Sequence, residues 1–156
     1  MKGMAQVGEL APDFTLEAAG GGEVSLKGLR GRKVVLFFYP KADTPGCTRE
    51  AIDFNRLRAD FEKAGTTILG VSADPVKAND KFRAKYRMSV PLASDPAHAM
   101  LKAYGVWGEK SMWGRKYMGI TRSTVLIGPD GRVARVWSGV KVGGHAEEVL
   151  AAARAL

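Results

Sequence analysis

Residues 34–50 read Val-Val-Leu-Phe-Phe-Tyr-Pro-Lys-Ala-Asp-Thr-Pro-Gly-Cys-Thr-Arg-Glu, and the rest of the chain is read outward from them. The run Val34 to Tyr39 is apolar throughout and rich in β-branched and aromatic residues. Bounded by turn residues, such a run predicts a strand buried on both faces. Pro40 ends it. Asp43 and Thr44 followed by Pro45 predict a helix start, a polar cap with proline at an early helical position. Cys47 then falls in the first turn of that helix and is the only cysteine in 156 residues. The first turn offers unpaired backbone N–H groups and the positive end of the helix dipole, both of which favour an anion. A thiolate there is expected to form more readily than on a free cysteine, and the thiolate is the nucleophile.

Beyond Cys47, Ala51, Phe54, Leu57 and Phe61 recur at helical spacing, so the helix is expected to run to Lys63 or Ala64, with Gly65 as its C-cap. Thr66 to Ser72 reads as the next core strand. Pro75 opens a helix through Arg87, stopped by Pro91, and a shorter helix is expected between Pro96 and Tyr104. Upstream, Pro12 to Glu17 and Glu23 to Leu26 flank Gly20-Gly21-Gly22 and predict a β-hairpin. Downstream, Thr121 to Ile127 and Arg132 to Trp137 flank Gly128-Pro-Asp-Gly131, a turn between antiparallel strands. Gly143-Gly144 precedes a closing Ala/Glu-rich helix. Alternating strands and helices closed by a hairpin imply an α/β three-layer architecture.

The length predicts one domain over residues 1–156, large enough to bury a normal core without disulfide or metal. At 46% apolar and 26% charged residues the composition is that of an ordinary globular protein. One cysteine permits no intrachain disulfide, which suits a reducing cytoplasm. The start, from Met1 to Glu9, lacks the apolar core of a secretory signal. The longest apolar run, Val34 to Tyr39, falls far short of the roughly 20 residues of a membrane span. The formal charge of +8 raises nucleic acid or a membrane surface as partners. The basic residues are spread along the chain, however, and the densest group, Lys81 to Arg87, sits on one amphipathic helix; neither partner is expected. Trp107, Trp113 and Tyr117 share a loop with Lys110, Arg115 and Lys116, a mixture that can stack on single-stranded nucleic acid, though a structural loop, which the family resemblance described below implies, is the reading preferred here. His98 and His145 stand apart from any cysteine or carboxylate at ligand spacing, so neither metal nor cofactor is expected.

Pro40-Lys-Ala-Asp-Thr44-Pro-Gly-Cys47 fits the Pro-x-x-x-Thr/Ser-x-x-Cys signature of peroxiredoxins, thiol peroxidases on a thioredoxin-like fold. The longer phrase from Phe38 to Thr48 resembles the bacterioferritin-comigratory (PrxQ) subfamily, as do Tyr104 to Lys110 and Tyr117 to Arg122. The resemblance runs from Gly8 to the last helix. It implies a central mixed β-sheet flanked by helices with an N-terminal β-hairpin. It also implies reduction of hydrogen peroxide and organic hydroperoxides through a Cys47 sulfenic acid, in antioxidant defence. In the family, Pro40 shields the thiolate from water and Arg122 brings positive charge over sulfur and peroxide. Thr44 offers a hydroxyl to orient the peroxide, and Gly46 lets backbone N–H groups approach closely.

Acidity alone does not make such a site. Lowering a thiol pKa from about 8.5 to about 6 raises the thiolate fraction at neutral pH roughly thirtyfold, but the accompanying fall in nucleophilicity removes on the order of tenfold. Orientation and charge stabilisation must supply the rest.

One departure from the family bears on mechanism. Many subfamily members carry a resolving cysteine five residues after the first, or in the following helix. Here position 52 is Ile52, and Asn79 to Tyr86 contains no cysteine. The expected cycle therefore uses one cysteine and an external thiol: thioredoxin, glutaredoxin or a low-molecular-weight thiol. The chain lacks the long C-terminal extension of ring-forming relatives, so a monomer or weak homodimer is expected. Two other readings are a thioredoxin-type disulfide oxidoreductase and a binding or chaperone module. The first needs Cys-x-x-Cys, but Thr44 occupies the first position. The second leaves the joint presence of Pro40, Thr44, Cys47 and Arg122 unexplained.

Overall fold

The computed structural model describes residues 3–156; Met1 and Lys2, part of the start read above for a signal, lie outside them. Strands β1 (Thr15–Ala18) and β2 (Glu23–Ser25) form the expected hairpin around Gly20 to Gly22. A short 3-10 turn (Lys27–Leu29) leads to β3 (Lys33–Phe38), the predicted core strand. Helix α1 (Pro45–Arg56) follows it, then α2 (Arg58–Lys63) and β4 (Thr66–Ser72). The single helix expected over this stretch is thus broken at Leu57. The break comes just after Asn55, whose Oδ1 accepts from the backbone N–H groups of Ser89 and Val90 at 2.7 and 3.0 Å and ties that turn to the neighbouring loop.

Helix α3 (Val76–Lys85) precedes β5 (Leu92–Ser94), a strand not anticipated. Helix α4 (Ala99–Ala103) is followed by β6 (Trp107–Met112) and β7 (Arg115–Ile120), which pair as a separate two-stranded sheet. That segment was expected to be a loop. Its turn residues Trp113 and Gly114 both have positive φ, 56° and 76°, as a two-residue type I′ turn requires. Strands β8 (Ser123–Ile127) and β9 (Val133–Ser138) and helix α5 (His145–Ala155) complete the chain.

The main sheet has seven strands in the order β2-β1-β5-β4-β3-β8-β9. Strand β3 runs parallel to β4 and antiparallel to β8, so the sheet is mixed. Its side chains alternate between two cores. Val35, Phe37 and Tyr39 face a cluster with Cys47, Phe54, Phe61, Phe82 and Val149, beneath α1, α2, α3 and α5. Val34, Leu36 and Phe38 face the other cluster with Met100, Leu101 and Tyr104. Both faces are covered, which is why the strand shows no polar alternation. The layered α/β, thioredoxin-like arrangement expected from the sequence is what the chain adopts.

Candidate active site

The site is assembled where β3 ends and α1 begins. Between them the backbone is held by side chains from β4's end and α3. Ala42 N–H donates to Asp74 Oδ2 at 2.8 Å. Asp43 adopts a left-handed backbone with φ of 59° and accepts from Lys85 Nζ at 2.8 Å and from the Tyr86 hydroxyl at 2.7 Å. These two bonds hold its carboxyl below the usual carboxylate range.

Thr44 occupies the N-cap position of α1, yet its side chain makes no cap hydrogen bond. Its hydroxyl donates instead to the Lys41 carbonyl at 2.8 Å. The first intrahelical bond is Thr48 N–H to the Thr44 carbonyl, 2.8 Å. Pro45 has no N–H, so the donors lying ahead of that bond are those of Gly46 and Cys47.

Cys47 is 1% exposed. The antiparallel register of β8 on β3 sets Ser123 opposite Phe38, and this places Arg122, 75 residues along the chain, beside the sulfur. Arg122 Nη2 donates to Cys47 Sγ at 3.3 Å. Its Nη1 donates to Glu50 Oε1 at 2.8 Å. One planar guanidinium thus bridges a carboxylate and the sulfur, a geometry that a lysine ammonium cannot reproduce. Burial works against the guanidinium's charge, but Glu50 and Cys47 outweigh it and hold Arg122 above its ordinary pKa.

Gly46 has a role beyond backbone approach. A Cβ there would sit 3.1 Å from Arg122 Nη2, so the missing side chain makes room for the guanidinium.

Glu50 was not singled out from the sequence. Its side chain is 1% exposed, and burial pushes its pKa up to about 7, against the pull of Arg122. Its Oε2 has no hydrogen-bond partner among the described residues. The available signal was position: Glu50 lies three residues after Cys47 and so shares its helix face. Pro40 is half-buried and follows Tyr39, whose ring belongs to the same apolar cluster as Cys47.

The structure thus joins Cys47, Arg122 and Gly46 directly and sets Thr44 and Pro40 in the adjoining loop. It does not join the histidines to them. His98 stacks on Trp107 with centroids 3.8 Å apart, and His145 Nε2 pairs with Thr124 Oγ1 at 2.7 Å. A groove of about 490 Å³ on the outer face of α1, lined among others by Thr48, Ile52 and Tyr86, does not include Cys47. Chemically, the arrangement offers a buried sulfur, a fixed cation beside it and two free backbone donors at one helix end. Those are the parts for nucleophilic attack with stabilisation of developing negative charge.

Residues 7–136 match the AhpC/TSA family. A Xanthomonas campestris protein, Peroxiredoxin Bcp, is 48% identical over 143 residues, covering 92% of this chain and 89% of the relative. A solved structure of X. campestris bacterioferritin comigratory protein, studied for alkyl peroxide reduction, superposes with a TM-score of 0.89 at 44% identity, covering 99% of this chain and 98% of its own. Peroxiredoxin Q of the same organism has been solved as two mutants with different cysteines replaced by serine, at TM-scores of 0.90 and 0.89 and 44% identity, each covering 99% of this chain and 99% and 98% of their own. This chain has Cys47 alone.

Proposed function

This chain belongs to the AhpC/TSA family, among its Bcp/PrxQ peroxiredoxins, and from that premise we propose that Cys47 is the reacting thiol of a one-cysteine cycle run by a single thioredoxin-like domain. The protein is a thiol-dependent peroxidase. The Cys47 thiolate attacks the terminal oxygen of the peroxide; an S–O bond forms as the O–O bond breaks. The sulfur is left as sulfenic acid, and the departing oxygen takes a proton to leave as water or an alcohol.

Arg122 acts twice in this scheme. Its Nη2 holds the sulfur in place before attack and stabilises charge passing to the departing oxygen afterwards. The Gly46 and Cys47 N–H groups add donors on the helix side. The Thr44 hydroxyl, already donating to Lys41, keeps lone pairs to accept the peroxide's O–H. Pro40 closes the apolar side against water. Glu50 holds the guanidinium in place.

An external thiol then attacks the sulfenic sulfur, releasing water and forming a mixed disulfide, and a second thiol frees Cys47. Thioredoxin, glutaredoxin and small thiols all fit this chemistry. The proposed setting is a reducing cytoplasm with the chain as monomer or weak dimer. Among the described residues no helix is long and apolar enough to cross a membrane. Given the relative studied for alkyl peroxide reduction, organic hydroperoxides as well as hydrogen peroxide are taken as substrates.

The observation that carries this reading is the 3.3 Å contact between Arg122 Nη2 and Cys47 Sγ. Its test is the mass of the protein after brief exposure to equimolar hydrogen peroxide with a dimedone trap. Rapid sulfenic acid formation, slowed by about 10²–10³ in Arg122→Ala, is expected. Equal, sluggish labelling of both proteins would remove the peroxidase site and leave a binding role.

A further inference from the structure

The β6–β7 hairpin has two unlike faces. Its register pairs Lys110 with Tyr117 and Met112 with Arg115. Directly opposed residues share a face and neighbours along a strand alternate. One face therefore carries Lys110, Met112, Arg115 and Tyr117, two cations and two large apolar groups with no acid. The other carries Glu109, Ser111, Lys116 and the exposed Met118, and its two charges neutralise each other across 3.5 Å. At the tip Trp113 is 96% exposed, and beside it Met112 is 56% exposed and Tyr117 38%. A contiguous apolar patch of this kind, rimmed by charge, marks an interaction surface.

The hairpin's second strand ends at Ile120, two residues before Arg122, whose Nη2 lies 3.3 Å from the Cys47 sulfur. Lys110 Nζ donates to the Ile120 carbonyl at 2.8 Å.

We infer that the Lys110/Met112/Arg115/Tyr117 face and Trp113 form the docking surface for an acidic protein reductant that delivers its thiol to oxidised Cys47. The inference rests on the peroxidase reading above and names the reductant class left open there. Charge complementarity selects the partner's sign: an all-cationic face on a chain of net charge +8 attracts an anionic surface and steers its approach. The same charge disfavours a second copy of this chain as the occupant. Size selects a protein over a small thiol. Six residues of strand span roughly 20 Å from root to tip, the scale of a small domain with a radius of gyration of about 13 Å. A small-molecule thiol cannot touch Trp113 and the root together. Transient redox partners use small interfaces, and an exposed Trp and Arg are the residue types that anchor them. Two cations along such a length are a sparse footprint for a nucleic-acid backbone, whose affinity depends on many phosphate contacts.

Once docked, the partner's thiolate attacks the sulfenic sulfur, the S–O bond breaks as the S–S bond of a mixed disulfide forms, and the departing hydroxide takes up the proton released from the partner's thiol to leave as water. A second thiol on the partner cleaves that bond, so the partner ends as a disulfide and Cys47 as a thiol.

The test compares the parent chain with the triple variant Met112→Ser, Trp113→Ala, Arg115→Glu, in turnover of hydrogen peroxide. The reductant is either a recombinant bacterial thioredoxin, kept reduced by its reductase and NADPH, or dithiothreitol. The expected result is a rise of about tenfold or more in KM for thioredoxin. Turnover with dithiothreitol and the rate of Cys47 sulfenic acid formation should stay within about twofold, since none of the three residues touches the sulfur. Added salt should raise the parent's KM for thioredoxin and leave the variant's nearly unchanged. An unchanged KM overturns the docking surface, and so does an equal loss with both reductants. If thioredoxin fails to turn over the parent while dithiothreitol succeeds, the protein-reductant inference falls and the peroxidase reading stands. If Cys47 forms no sulfenic acid at all, it is the peroxidase reading that falls.

Discussion

Two buried polar clusters lie at the C-terminal end of β3, on either side of the loop that leads to Cys47. In the first, the Tyr39 hydroxyl donates to Asn79 Oδ1 at 2.6 Å, and Asn79 Nδ2 donates to Ser94 Oγ at 2.8 Å and Ser72 Oγ at 3.1 Å. Ser72 in turn donates to Asp74, which receives Ala42 N–H. In the second, Arg122 bridges Glu50 and Cys47, but Glu50 Oε2 is left without a partner. In the first cluster no buried side-chain nitrogen or oxygen lacks a partner among the described residues. Burial there pushes the Tyr39 phenol far above its ordinary range, so it stays neutral. The second keeps an orphan carboxylate oxygen, a sulfur and unpaired helix N–H groups in reach of one cation. A buried polar group without a partner costs about 1–3 kcal/mol, a cost the second cluster bears and the first does not.

Four changes break or sharpen this contrast, in order of expected size. Arg122→Lys keeps the charge but loses the two-pronged bridge, and stopped-flow peroxide oxidation should slow by about 10²-fold. An undiminished rate would mean that charge alone suffices and that the bridging geometry is incidental.

Glu50→Gln probes the orphan carboxylate through stability. Burial raises its folded pKa to about 7 from the ordinary value of 4.5, so the folded state holds the proton more tightly than the unfolded one. The stabilisation is present in full below the unfolded pKa and is lost as pH rises through the folded pKa. Denaturant titrations of the parent at about pH 5 and about pH 8 should differ by on the order of 3 kcal/mol from this group, and the Gln variant should lack that difference. Parallel pH profiles for the two proteins would refute the assignment.

On the completed side, Asn79→Leu strands the Tyr39 hydroxyl and the Ser94 hydroxyl. Stability should fall by about 1–3 kcal/mol while the oxidation rate changes less than about threefold. A large rate loss with little loss of stability would reverse the roles assigned to the two clusters. Smallest is Thr44→Val: oxidation slows by about tenfold, one hydrogen bond's worth, with the melting temperature nearly unmoved. An equal drop in melting temperature would make Thr44 a loop brace only.

The reacting half of this contrast was legible in the sequence because its signals are local. Val34 to Tyr39, the Pro45 helix start and Cys47 in its first turn are read within one stretch, and Arg122 came with the family motif. What could not be read was set by contacts distant in sequence. Glu50 looks like a solvent-facing acid until β8 brings Arg122 over it. Leu92 to Ser94 is too short to announce a strand and exists because β4 and β1 pair with it on either side. The β6–β7 hairpin was hidden by its turn, since Trp113 stands where a left-handed conformation usually selects Asn, Asp or Gly. Thr44 was placed correctly as a cap position, but its hydroxyl took the Lys41 carbonyl, an equally local choice that spacing does not distinguish.

Cys47 is the chain's sole thiol and is buried, and this gives the oxidised protein a property of timekeeping. No internal partner can end the sulfenic state, so each molecule stays oxidised until another molecule arrives. At steady state the ratio of oxidised to reduced protein follows the ratio of two outside supplies, peroxide and reductant, each weighted by its rate constant, and how long the oxidised state persists measures the second of them. A chain with its own resolving cysteine runs that clock itself; here the clock is wound from without.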